Sequence, residues 1–284
     1  MNTIKTVFLL ALLSGLLVVA GNLLGGQSGA FFALGIAVVM NISAYWFSDR
    51  IALAFAKARQ VTEAEAPDLY KLVGELAQEA NMPMPRVYLI EQPAPNAFAT
   101  GRDPRHAVVA VTSGILEIAS PRELRAVLAH ELGHVRNRDT LVMAIVASIA
   151  GAISYIAQIA QWSMWFGGRD DDEGQNPIAA IVAIILLPIA ALLIQLAISR
   201  SREFGADESG AQLVRDPLGL ASALRKLEAY NKKVPLAVNP SVSALFIVQP
   251  LLPGGMSRLF STHPPIEDRV ARLERMAGME LAQI

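Results

Sequence analysis

Three stretches of this sequence, 7–47, 141–166 and 174–199, contain no Asp, Glu, Lys or Arg. A helix needs about 20 consecutive apolar residues to cross a bilayer. The stretches supply four such runs: Val7–Leu24, Ala30–Phe47, Leu141–Phe166 and Ile178–Ile198. Four buried core helices in a soluble protein would be the other explanation. Charged residues make up only 17% of the chain, against about 25% in a soluble domain, and the shortfall lies in these runs. Gly15, Gly35, Gly151 and Pro188 fall inside them, which membrane helices tolerate. Their strongly polar residues are Asn22, Asn41, Gln158, Gln161 and Gln195. These suit contacts between helices. The runs hold no ionisable group of the kind that marks an ion pathway, which weighs against a transporter or channel. Lys5 and Val18-Val19-Ala20 have some character of a cleaved leader. The apolar run continues past Ala20, however, so an uncleaved anchor hairpin is expected.

Charge sets the orientation. Of 24 Lys and Arg residues, 11 fall in 49–139 and 11 in 200–284. The expected hairpin loops, 25–29 and 167–177, hold only Arg169 between them, and the second carries four acids. Basic segments stay cytoplasmic, so both polar blocks are expected there. The organisation expected is an N-terminal membrane hairpin (1–48), a first cytoplasmic catalytic part (49–139), a second hairpin (140–199) and a second catalytic part (200–284). The chain has no cysteine, hence no disulfide. Its net charge of −1 leaves no nucleic-acid footprint. No Gly-x-x-x-x-Gly-Lys loop is present, so no nucleotide partner is expected and hydrolysis should be independent of ATP.

The first polar block opens with a helical stretch over about 67–80. Short β-favouring runs follow at Val87–Ile90, Ala97–Ala99 and Ala107–Val111, split by Pro and Gly, and these predict a small sheet. Ser120-Pro121-Arg122-Glu123 then reads as a helix start with a capping box. That helix carries His130-Glu131-x-x-His134. Residues four apart lie on one helix face, so the two imidazoles can grip one Zn²⁺ ion. Glu131 is then placed as general base for a water that the metal acidifies. A catalytic zinc usually takes three protein ligands and keeps one position open. The third is His106, His263 or a carboxylate. The best candidate is Glu203 in "SRSREFGADESG", where Asp207 follows one turn later and can hold a ligand imidazole. His106 reads as a surface residue. Arg136, Arg138 and Asp139 read as a solvated interfacial turn, and 241–255 as domain core, with a membrane-dipping or substrate-binding loop as alternatives. An unbroken helix from His134 to Leu141 would put the metal about 10 Å above the membrane boundary.

"HELGHVRNRDT", "SRSREFGADESGAQLV" and "STHPPIEDRVARL" together resemble the HtpX family of membrane zinc metalloproteases, with CAAX prenyl endopeptidases and Oma-type proteases as more distant relatives. The resemblance implies a multi-span α-helical membrane protein with a mainly α, small-sheet (α+β), gluzincin-type metallopeptidase domain and one zinc per chain. It implies a heat-shock-associated endopeptidase of the bacterial inner membrane, multi-pass, with its active site facing the cytoplasm. Its substrates would be misfolded membrane proteins or unfolded polypeptides. It also implies that Asn96, Ala97 and Phe98 belong to an edge strand that pairs with substrate, and that His263 donates to the oxyanion of the tetrahedral intermediate. A prenyl-protein endopeptidase and a non-enzymatic membrane scaffold are the alternatives.

Overall fold

The computed structural model describes residues 2–140, 200, 202–234, 245–248 and 263–281. The expected third and fourth spans, with the acidic loop between them, lie outside these residues. The first uncharged stretch is helical from Asn2 to Phe55 (α1). It is not one straight rod. Asn41 Nδ2 donates to Ser14 Oγ at 2.9 Å across 27 residues, which a straight helix would separate by about 40 Å. Gly26, at φ +59°, sits where the chain doubles back, a conformation that costs glycine nothing. The reversal falls inside the expected loop 25–29. Gly26–Phe47, 22 residues of mean hydropathy 1.8, is the one helical stretch among the described residues long and apolar enough to cross a membrane. Phe31, Phe32, Val39 and Ile42 stand exposed along it.

Four strands follow: β1 (Arg59–Gln60), β2 (Arg86–Ile90), β3 (Ala97–Thr100) and β4 (Val108–Thr112). They are ordered β1-β2-β4-β3, with β2 and β4 parallel and the other pairs antiparallel. β3 is therefore an edge strand. Side chains alternate between the two faces, and both faces are covered, which is why β4 is buried along its whole length. Val87, Ala97, Ala99, Val109 and Val111 join one core with Val127, Leu128 and Leu132. Ile90, Phe98, Val108 and Ala110 join another with Ala52, Leu53 and Ala56 at the end of α1 and with Leu245 and Phe246. The end of α1 is thus part of the domain core.

The helices beyond α1 are α2 (Pro67–Glu79), α3 (Ser113–Ile118), α4 (Pro121–Arg136), α5 (202–214), α6 (Pro217–Asn231) and α7 (Ile266–Leu281). α4 starts with the capping box read from the sequence: Ser120 and Glu123 satisfy each other's backbone N–H groups. Its end falls in the turn read from the sequence around Arg136 and Arg138. Asn137 caps the helix and Arg138 takes φ +59°, so α4 does not run unbroken towards residue 141. The left-handed residue turns Asp139 back under the helix instead.

Candidate metal centre

α4 is buried along almost all of its inner half, from Ala126 to Val135. Its face with His130 and His134 meets α5 at very short range. A Cβ on Gly210 would lie 2.7 Å from the Cα and N of His130, so only glycine lets the two helices approach this closely. That approach brings Glu203, one helix turn before Asp207, to the imidazoles. Glu203 Oε1 lies 3.3 Å from His134 Nε2, and Oε2 lies 3.7 Å from His130 Nε2. The three residues form a group whose ligand atoms all lie within 4.8 Å of one another, and all three are buried. Adjacent ligands around a tetrahedral zinc with bonds of about 2.0–2.1 Å lie about 3.3–3.4 Å apart, so the spacing suits one ion. Glu131 Oε1 is a buried oxygen that accepts no hydrogen bond, and Glu203 Oε2 accepts none either, with the Arg269 guanidinium near it at 3.4 Å, an expensive arrangement for Glu131 Oε1 unless a cation or solvent answers it. The donor set therefore fits a divalent metal.

Each imidazole has its second nitrogen against a carboxylate. Nδ1 of His130 lies 3.0 Å from Asp207 Oδ1, and Nδ1 of His134 lies 3.3 Å from Asp139 Oδ2. The structure thus corrects the solvated reading of Asp139, which is 2% exposed. The turn at Arg138 folds it inward, while Arg136 and Arg138 stay exposed. Asp207 is in turn gripped by the Arg269 guanidinium, Nε to Oδ2 at 2.8 Å and Nη2 to Oδ1 at 2.6 Å. Arg269 also reaches Glu203 Oε2 at 3.4 Å and is fully buried. Sequence reading gave it no role. A signal was there: on α7 it falls on the same helix face as Ile266, Val270 and Leu273, where a solvated arginine has no place.

Glu131 Oε2 accepts a hydrogen bond from the backbone N–H of Ala99 on β3, at 2.8 Å. Burial, with the Glu203 charge adding and His134 opposing, pushes its carboxyl up to about 8. Burial also works against charge on His134, but Glu203 and Asp139 outweigh it and carry that group to about 10. Burial opposes the charge on Glu203 too, yet His263, His134 and Arg269 hold it well below the usual carboxylate range. Burial lowers His130 and takes His263 down to about 4. His263 is buried with Nε2 3.5 Å from Glu203 Oε1, beside the group. His106 is not: it sits exposed on a short turn, bonded to Asp103 and Arg102. Ala97 lies on the free edge of β3, while the main chain of Asn96, just before it, pairs with Thr112 of β4; the Ala97 carbonyl and the Asn96 side chain are already engaged, by residues 247 and 248. Phe98 points to the opposite core.

The profile of peptidase family M48 matches residues 63–277. A "Protease HtpX homolog" of Syntrophotalea carbinolica is 52% identical over 280 residues, covering 97% of this chain and 99% of that one. One from Persephonella marina is 53% identical over 282 residues, covering 98% of each, and one from Burkholderia mallei is 51% identical over 280 residues, covering 97% of each. Among solved structures, S. mikatae Ste24p superposes with a TM-score of 0.51 at 18% identity, over 86% of this chain and 57% of that chain. That likeness is one of fold, and this chain spans only those 57% of the Ste24p chain's length.

Proposed function

The chain belongs to peptidase family M48, in its HtpX branch, and is a metalloprotease; from that membership we propose that it is a multi-pass zinc endopeptidase cutting exposed segments of membrane or unfolded proteins at the cytoplasmic face. The observation that carries the reading is the convergence of His130, His134 and Glu203 into one buried group with Glu131 on the same helix. His₂Glu with an open position fits zinc best among common ions. A zinc ion held there supplies Lewis acidity.

The chain's own residues do the rest. Glu131 takes the proton of the attacking water and passes it towards the leaving amine, as a general base; burial raises its carboxyl, which favours holding that proton. The Ala99 N–H fixes the carboxylate that does this. Asp207 and Asp139 hold the ligand imidazoles by their second nitrogens, which sets tautomer and ring orientation. His263 lies beside Glu203, which supports a role as donor to an oxyanion. The edge strand β3 offers main-chain groups that pair with a substrate of any sequence. The distribution of Lys and Arg supports a cytoplasmic active site, with residues 1–48 and 140–199 as two membrane hairpins flanking the catalytic parts 49–139 and 200–284. With no nucleotide loop the enzyme works as ATP-independent quality control, nicking accessible segments.

The test compares purified wild-type chain in detergent with Glu131→Gln and Glu203→Ala, on an unfolded protein and a membrane-protein fragment, with metal content read on the same samples. The reading expects cleavage by wild type, zinc without cleavage in Glu131→Gln, and loss of metal in Glu203→Ala. Equal behaviour of all three would sink it.

A further inference from the structure

The free edge of β3 is occupied by the chain itself. Asn96 faces β4, since its carbonyl accepts from Thr112 N, so by alternation Ala97 and Ala99 face outward. Ala99 N–H goes to Glu131. Two residues earlier on the same edge, the carbonyl of Ala97 accepts from Ile247 N at 3.0 Å. Val248 N donates to Asn96 Oδ1 at 3.3 Å, and Asn96 Nδ2 donates to Val248 O at 2.7 Å. Arg269 Nη1 donates to Ile247 O at 3.0 Å. Four main-chain groups of two residues are thus held by Asn96, Ala97 and Arg269, beside the Glu131 carboxylate. No polar side chain of 245–248 takes part, because Leu245, Phe246, Ile247 and Val248 have none. Phe246 packs edge-on against Phe98 at 5.0 Å between ring centres. Gripping the backbone and burying apolar side chains is how a protease holds a peptide of arbitrary sequence.

We propose that the groove between β3 and Arg269 is the peptide-binding cleft, that residues 245–248 sit in it as an internal ligand, and that Arg269 is the donor that receives the main-chain carbonyl of whatever occupies it. The inference rests on the peptidase reading and adds a restraint to it. A substrate that follows the same bent path, with a bulky apolar residue in the place of Ile247, offers the same main-chain groups, so it competes with the seated segment. A tethered competitor acts at an effective concentration on the order of 1 mM. It weakens a peptide whose intrinsic Kd is about 0.1 mM by roughly tenfold. Arg269 also carries Asp207 and so touches the ligand shell of His130, which makes the cleft and the metal group share one residue.

The experiment uses the full chain in detergent, in the Glu131→Gln background so that nothing is cleaved. The probe is a fluorescent peptide, Ala-Leu-Phe-Ile-Val-Gln, the sequence of residues 244–249. Ile247→Pro removes the N–H that reaches Ala97, and Phe246→Ala weakens the seat without touching the groove. Both should bind the peptide about tenfold more tightly than the Glu131→Gln parent, with melting curves showing a folded domain. Adding Arg269→Gln to either should abolish the gain. If the variants fold and bind no more tightly, or if both lose the folded state because 245–248 is fixed core, the proposal is wrong. Binding needs no hydrolysis, so the two readings fail separately. Cleavage is read in the same variants with Glu131 restored: tightened binding where those chains cut nothing contradicts the peptidase reading alone, and cleavage without tightening contradicts the internal ligand alone.

Discussion

Asp139 shows how one residue's surroundings reverse its reading. In sequence it stands between two arginines and a membrane run, where a solvated turn is the simplest account. In the folded chain its carboxylate meets the second nitrogen of His134, as Asp207 meets that of His130. Partners of this kind typically carry 10–100-fold in metal affinity. Asp139→Ala should therefore weaken zinc retention by about that factor in a chelator competition, while the far-ultraviolet spectrum stays that of wild type. Glu131→Gln should leave retention intact and lower kcat by about 10²–10⁴-fold. An Asp139→Ala chain that keeps zinc as tightly as wild type would show that this carboxylate does not act on the ligand. Both aspartates lie within a few residues of a ligand in sequence, yet only Asp207 was legible: its i+4 spacing from Glu203 survives on one helix. Asp139 reaches His134 only because Arg138 adopts a positive φ that no local pattern announces.

Among the elements, α4 is held at its start and at its middle by different devices. At its start Glu123 closes the capping box and also takes Lys226 Nζ at 2.5 Å and Ser222 Oγ at 2.7 Å, both from α6. Burial works against its charge, but Lys226, Ser120 and Ser222 prevail and hold the carboxyl at about 2. A carboxyl lowered by folding contributes stability that is present above its unfolded pKa, near 4.5, and is lost as pH falls through about 2. The stability gap between wild type and Glu123→Gln, measured by urea melts, should thus be full at pH 6 and close between pH 4.5 and 2. At the other contact α4 meets α5 with no room beside Gly210. Gly210→Ala has to push α5 away from His130. It should cost metal binding even though alanine is the better helix former by about 1 kcal/mol. Metal retention equal to wild type would show that the helices can part without losing Glu203.

For the whole molecule, the end of α1 and the catalytic sheet are one packing unit. Ala52, Leu53 and Ala56 at the end of α1 cover Ile90, Phe98, Val108 and Ala110, and Arg102, just past β3, stacks over Trp46. Deleting residues 1–57 should therefore leave a catalytic domain that aggregates, with one sheet face bare. A monodisperse, zinc-loaded fragment in gel filtration would contradict that packing. The expected topology can be mapped cleanly because the chain has no cysteine. A cysteine at Ser28 should be labelled from outside the cell, and one at Glu63 only after the membrane is opened. The reverse pattern would invert the proposed orientation.

By itself the sequence determined the apolar runs, the capped helix with His130, Glu131 and His134, the three sheet strands around Val87, Ala97 and Val108, and the pairing of Glu203 with Asp207. All of these are signals of spacing within a single element, where periods of 2 and 3.6 residues place side chains without knowledge of the rest. Tertiary structure alone decided what crosses between elements. Arg269 is 62 residues from Asp207, Val248 is 152 from Asn96, and the close seat of Gly210 on His130 depends on two helix faces meeting. These contacts arise because burial forces polar groups from distant segments to satisfy one another, and no local pattern records which segments burial will bring together.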